Sequence, residues 1–261
     1  MISISSAQLD AWLGLFMFPL TRILALLATA PVFNNKALPL RIRLTLGLAI
    51  TFAIAPVLPA PPPLLAGSWL GLAVIGEQIL IGMLMGFALR LAFAAMDIAG
   101  EMIGLQMGLS FATFFDPGRG GQSSVLAEFF GLLTGLVFLA INGHLLLLSL
   151  LIESFALLPI DTRPLLAAGL AKLLASSAMM FSLGVMLSLP LITALLVANI
   201  SLGVLARIAP TLNIFAVGFP ITLGLGFIVL MLSLPYLGAA MDGLFTHGFM
   251  TLEAVVRATA G

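Results

Sequence analysis

The chain has 261 residues, 62% of them hydrophobic and 8% charged, with ten basic and ten acidic side chains that cancel to a formal net charge of zero. An ordinary soluble domain carries roughly 25% charged residues, so this much apolar surface needs lipid, other protein or both, and without a block of like charge there is no electrostatic footprint for nucleic acid. Cysteine is absent, which removes disulfide frameworks, thiolate metal sites and cysteine nucleophiles together.

The first ten residues hold no Lys or Arg, and the apolar run at 11–32, which contains Arg22, reaches the length of a full span. It exceeds the apolar core of a signal peptide and reads as a retained helix. Further apolar runs follow at 38–58, 69–95, 129–152, 173–206 and 208–241. They are continuous rather than alternating, which fits helices and excludes a membrane β-barrel. The predicted fold class is therefore all-α, an integral membrane protein of about six long apolar, partly kinked helices. Between them lie Asn34-Asn35-Lys36 with Pro39, the run at 59–63, the Asp116-Pro117-Gly118 region and the segment 159–164, each with Pro or Gly at a helix stop.

The last third is apolar beyond what a bilayer requires. Arg207 is the only charge between Leu173 and Met241, and each flank as helix would run to about 51 Å. Either Pro190, Pro220 and Pro235 break these helices, or they extend past the lipid under protein cover; the scarcity of polar ends favours cover. Small-xxx-small spacing occurs at Gly67/Gly71, Gly82/Gly86, Gly100/Gly104/Gly108 and Gly131/Gly135. Such spacing bares one helix face for the close approach of another backbone.

Four ionisable residues stand in or just beyond the apolar run at 69–95: Glu77, Arg90, Asp97 and Glu101. Each costs about 2.5 kcal/mol or more at a helix centre unless paired or wet. Asp97 and Glu101 form a like-charge pair one turn apart, so one of them wants a basic partner elsewhere. A subunit-interface salt bridge or a place at the lipid boundary is the expectation; a proton or ion pathway, as in a secondary transporter, is the alternative. His144 and His247 lack companion ligands, and neither Ser123 nor Ser124 has a nucleophile-elbow or phosphate-loop context, so no enzyme, metal or cofactor is expected. Asn142-Gly143-His144 lies in an apolar run and is expected to hydrogen-bond a neighbouring helix. The stretch from Gly100 to Pro117 leads a glycine-faced helix into Phe111, Phe114 and Phe115, a bulky apolar knot beside a Pro/Gly turn. Met83, Met85, Met96, Met102 and Met107 gather before it, the side chain best suited to filling gaps that change shape.

Three strings resemble the FliR family of flagellar biosynthetic proteins, components of the type III export gate. They are Gly104-Leu105-Gln106-Met107-Gly108-Leu109-Ser110-Phe111-Ala112 leading to Asp116-Pro117, then Phe138-Leu139-Ala140-Ile141-Asn142-Gly143-His144, and Arg207-Ile208-Ala209-Pro210-Thr211-Leu212-Asn213-Ile214-Phe215-Ala216-Val217-Gly218-Phe219-Pro220. Thr211 stands where many members have Gln. The resemblance covers essentially the whole chain. It implies a conduit-wall subunit at the bacterial inner membrane, at the flagellar basal body, assembled with FliP-like and FliQ-like chains and with FlhB-like and FlhA-like export components. Unfolded flagellar proteins would be its cargo. Residues 1–158 would be the FliP-like ring-forming part, and 165–261 a FliQ-like helical hairpin. A plug is implied at 106–122, with Gln106, Met107, Phe111, Phe114, Phe115, Asp116 and Pro117 as gate residues. Glu77, Arg90, Asp97, Glu101, Arg207 and Asn213 are the candidate subunit contacts, and Gly100, Gly104 and Gly108 the close-packing positions. An injectisome homologue carries a related string and is the nearest alternative.

Overall fold

In a computed structural model, residues 6–35, 37–59, 67–109, 124–161, 167–209 and 214–260 are described. They form seven helices: α1 (Ser6–Thr29), α2 (Leu40–Ile54), α3 (Trp69–Gln106), α4 (Val125–Ala140), α5 (Gly143–Leu157), α6 (Ala168–Ile208) and α7 (Ile214–Ala260). No strand occurs among the described residues. Trp69–Gln106, Ala168–Ile208 and Val217–Ala260 are long and apolar enough to cross a membrane; α4 and α5, counted as one bent span, would make a fourth. The expected all-α architecture is present, with its six apolar runs divided among seven helices.

One boundary differs from the sequence reading for a local reason, and of the two readings of the prolines the unbroken one is present. The run at 129–152 is not one helix: α4 and α5 meet at 68°. Asn142 sits at φ 57°, the left-handed conformation that Asn tolerates better than most side-chain-bearing residues, and Gly143 opens the next helix. Asn142 is thus a corner, and its carbonyl accepts from the N–H groups of Leu145 and Leu146. Conversely, Pro190, Pro220 and Pro235 do not end their helices; all three lie inside α6 or α7. At about 1.5 Å per residue the 41 residues of α6 and the 47 of α7 reach roughly 61 and 70 Å, well past a bilayer core of about 30 Å.

The chain packs as two compact units. The first comprises residues up to Leu91 together with Asn142–Ser177 and Thr246–Gly261; the second comprises Ala92–Ile141 and Ala178–Phe245. In the first, Phe18, Ile23, Leu26 and Leu27 of α1 are buried, as are Ile81, Met85 and Leu89 of α3, Leu147, Leu151 and Phe155 of α5, and Leu252 and Val255 of α7. Gly82 and Gly86 let α3 lie directly on α1: a Cβ added at Gly82 would sit 2.8 Å from that of Ala25, and one at Gly86 2.7 Å from that of Thr29. The second unit centres on Phe93, Phe138 and Phe245, whose rings meet pairwise at 5.4 to 5.6 Å. Edge-on and tilted aromatic contacts of this kind add to the area they bury.

Candidate functional site

Of the expected gate residues, Phe111, Phe114, Phe115, Asp116 and Pro117 lie outside the described residues, as does Asn213 among the expected contacts. The flanks of that gate segment are described, and their geometry is specific. α3 ends on Gly108, at φ 81°, with the Leu109 N–H donating to the Gly104 carbonyl at 3.0 Å and the Gly108 N–H to the Leu105 carbonyl at 3.0 Å. This is a Schellman stop, which needs a residue without a Cβ at its left-handed position. The third glycine of the 100/104/108 series therefore terminates the helix. Gly100 and Gly104 are the ones pressed on α4: a Cβ on Gly100 would fall 2.7 Å from the Ala127 Cα, and one on Gly104 2.8 Å from the Ser124 hydroxyl.

Across from that stop, Ser124 begins α4. Its hydroxyl accepts from the Ala127 N–H at 3.2 Å, the usual serine N-cap. Its own backbone N–H donates to Oε2 of Glu101 at 3.1 Å. In an ordinary capping box a Glu three residues on would take that N–H; here Ala127 holds the place, and a carboxylate 23 residues earlier does the work. Glu101, one acid of the like-charge pair, thus finds a backbone donor. Replacing Ser124 by Ala removes the cap and should cost about 1 kcal/mol. A fall of a few degrees in the melting temperature of the purified assembly would register it; an unchanged melt would show that the cap is not under load.

Met107, the residue after the last of α3, Gln106, is fully buried. It lies in a notch left by Gly226 of α7, where an added Cβ would come within 2.6 Å of its Cγ and Cε. Met102 accepts from the Ser188 hydroxyl at 3.7 Å, and a Cβ on Gly184 of α6 would meet Ile98 at 2.8 Å. Thioether side chains thus seat the end of α3 on α6 and α7.

Beside the Ser124 cap, Asp97, Glu101 and Glu128 line an open groove of about 430 Å³ with Ile98, Ala127 and Gly131. The like-charge pair expected on α3 is joined there by a third carboxylate from α4. Among the described residues no group of His, Cys, Asp or Glu is arranged to hold a metal ion. Elsewhere, Glu77 is half-buried on α3 and faces the like charge of Asp161, Arg90 is exposed on α3, and Arg207 is exposed in the last turn of α6. A cation at that end suits the negative pole of the helix.

The polar centre of the first unit was not singled out by sequence. Arg22 is 0% exposed. Its Nε donates to Oε1 of Gln78 at 2.8 Å, Nη1 to the carbonyl and hydroxyl of Ser154 at 2.9 and 3.1 Å, and Nη2 to the Leu158 carbonyl at 2.7 Å. The guanidinium lies 4.1 Å from the centre of the Phe155 ring. Ser154 and Leu158 supply the last carbonyls of α5, which carry that helix's partial negative charge. One arginine of α1 therefore caps α5 while gripping α3. The signal was a lone Arg in an otherwise uncharged run, with Gln78 the single amide side chain in another.

The profile of the bacterial export proteins, family 1, matches residues 13–248. The flagellar biosynthetic protein FliR of Pectobacterium carotovorum subsp. carotovorum is 45% identical over 259 residues, 98% of each chain. FliR of Escherichia coli K12 is 45% identical over 257 residues, again 98% of each. FliR of Aquifex aeolicus is 34% identical over 236 residues, 90% of this chain and 91% of that one. Matched along nine-tenths of its length, the chain belongs to family 1 of the bacterial export proteins, the family of the flagellar biosynthetic protein FliR.

Proposed function

We propose that the chain is a non-enzymatic subunit of the flagellar type III export gate in the bacterial inner membrane. It forms part of the conduit wall, and its segment from Gln106 to Gln122 plugs the pore until unfolded flagellar proteins pass. FliP-like and FliQ-like chains surround it: residues 1–158 occupy a FliP-like place in the ring, and 165–261 a FliQ-like one. FlhB-like and FlhA-like export components are its further partners. Glu77, Arg90, Asp97, Glu101, Arg207 and Asn213 face subunit contacts.

One observation carries this reading. α6 and α7 are about twice the length of a bilayer core and keep large apolar side chains exposed along it, among them Phe181, Met186 and Ile200 on α6 and Phe227, Met231 and Leu232 on α7. Lipid accounts for half of such a helix; sister chains account for the rest. The clamped flanks of 110–123 support the plug, because a segment that resists ions needs both ends anchored. Trimming Phe111, Phe114 and Phe115 to Ala should raise the ion conductance of membranes holding the assembled gate while export of flagellar subunits continues, since hydrophobic constrictions seal by excluding water. Wild-type conductance in the triple variant would contradict the plug.

A further inference from the structure

Between Asp10 and Glu77 the sequence contains no acidic residue, yet it carries Arg22, Lys36, Arg41 and Arg43. Arg22 is committed to the interior of the first unit. Arg43 braces the turn before α2, with Nη1 on Oδ1 of Asn34 and Nη2 on the Asn35 carbonyl, both at 2.9 Å, while its Nε is buried without a hydrogen-bond partner. Arg41 is exposed. α1, the helix packed against α2, offers no acid between Gly14 and Thr29. α2 itself opens on Pro39 with no acid in its first turn and no side-chain cap, so the partial positive charge of the helix end adds to that of the arginines. One end of α2 is therefore cationic, with no counter-charge on its own element or on the helix beneath it.

The rest of α2 is apolar on nearly every side. Only Gly47, Thr51 and Ile54 are buried, a stripe one turn apart that seats on α1, where Phe52 also stacks on Phe16 at 5.9 Å. Leu40, Ile42, Leu44, Leu48 and Phe52 are exposed, Phe52 at 73%. With 15 residues α2 measures about 22 Å, short of a bilayer core. A cationic end followed by about 20 Å of apolar surface repeats, along one helix, the polarity of a phospholipid: anionic head first, acyl chain after. A protein covering the same face would have to supply an acid at Arg41 and an apolar strip beside it; an anionic leaflet supplies both at once, and arginine stems lie along apolar surface while their heads stay at the phosphates.

We propose that the outer face of α2 binds anionic phospholipid, with Arg41 and Arg43 at the phosphate layer and Leu44, Leu48 and Phe52 along the acyl chains. The test uses the purified assembly containing the full chain, placed in nanodiscs of equal parts phosphatidylglycerol and phosphatidylcholine, with a photo-crosslinking phenylalanine replacing Phe52 or, in a second variant, Leu48. Mass spectrometry should find lipid adducts, phosphatidylglycerol in excess. Arg41→Gln should reduce that excess about fivefold, the loss expected for one cation at an anionic surface. Arg41 is the variant of choice because its side chain is exposed, whereas Arg43 also holds the turn. Capture of a protein band in place of lipid, equal capture of the two lipids, or an unaltered preference in Arg41→Gln would each overturn the proposal.

Discussion

Arg22→Met should lower the stability of the chain by about 3 to 5 kcal/mol, the range for removing one partner from a buried charged network. The length of the side chain is nearly kept, so the loss is one of donors: Oε1 of Gln78 and the Leu158 carbonyl would lose the guanidinium N–H groups in the interior, and the Ser154 carbonyl would keep only the Leu158 N–H. Each acceptor left bare costs roughly 1 to 3 kcal/mol, and the end of α5 loses the cation that offsets its dipole. Against a total stability of about 5 to 15 kcal/mol, that is enough to deplete the protein from the membrane and abolish swimming. Arg22→Lys should fall between, because a lysine keeps the charge but not the planar fork that reaches four acceptor atoms on Gln78, Ser154 and Leu158. Immunoblots of membranes and thermal melts of the purified assembly would order the variants wild type, Lys, Met; a Met variant that melts with wild type would show the network to be dispensable.

The second large effect is expected at Gly100. Alanine in an exposed helix usually gains about 1 kcal/mol over glycine, and at Gly135, where an added Cβ meets nothing within 4 Å, Ala should be neutral or mildly stabilising. At Gly100 the same methyl would lie 2.7 Å from the Cα and 3.0 Å from the N of Ala127. Backbone cannot step aside as a side chain can, so α3 and α4 must separate, at a cost of about 1 to 3 kcal/mol for Ala and more for Val. The separation also pulls Glu101 from the Ser124 N–H and loosens both ends of the segment proposed as the plug. Gly100→Val should therefore lose export in a motility assay with the chain still detectable in membranes, while Gly135→Ala exports normally. Equal export by the two would contradict the close approach.

The helices were readable because apolar composition alone marks them, and α3 runs through Asp97 and Glu101 because two charges on one face do not stop a helix. The corner at Asn142 was not read as a break: the runs on either side are equally apolar, so the Asn-Gly turn dipeptide between them was assigned to helix packing, although the bend rests on the backbone angle of that Asn. Small-xxx-small spacing found the approaches at Gly82, Gly86, Gly100 and Gly104 but gave the same signal at Gly67 and Gly135, which face nothing within 4 Å. Spacing says that a face is bare and not that anything lies on it. Arg22 was the largest omission. Its partners stand 56, 132 and 136 residues away, distances that no local periodicity reports. At the segment proposed as the plug, sequence named the aromatic residues, while the structure describes the flanks: a glycine stop before it and a serine cap tied to Glu101 after it.

The most direct test of the partner-wrapped subunit is the mass of the intact assembly, measured by native mass spectrometry after mild detergent extraction through a tag on this chain. The chain should emerge with several copies of smaller apolar proteins in unequal ratio, their mass sufficient to cover α6 and α7. A homogeneous species of 27.3 kDa, stable and without companions, would contradict it.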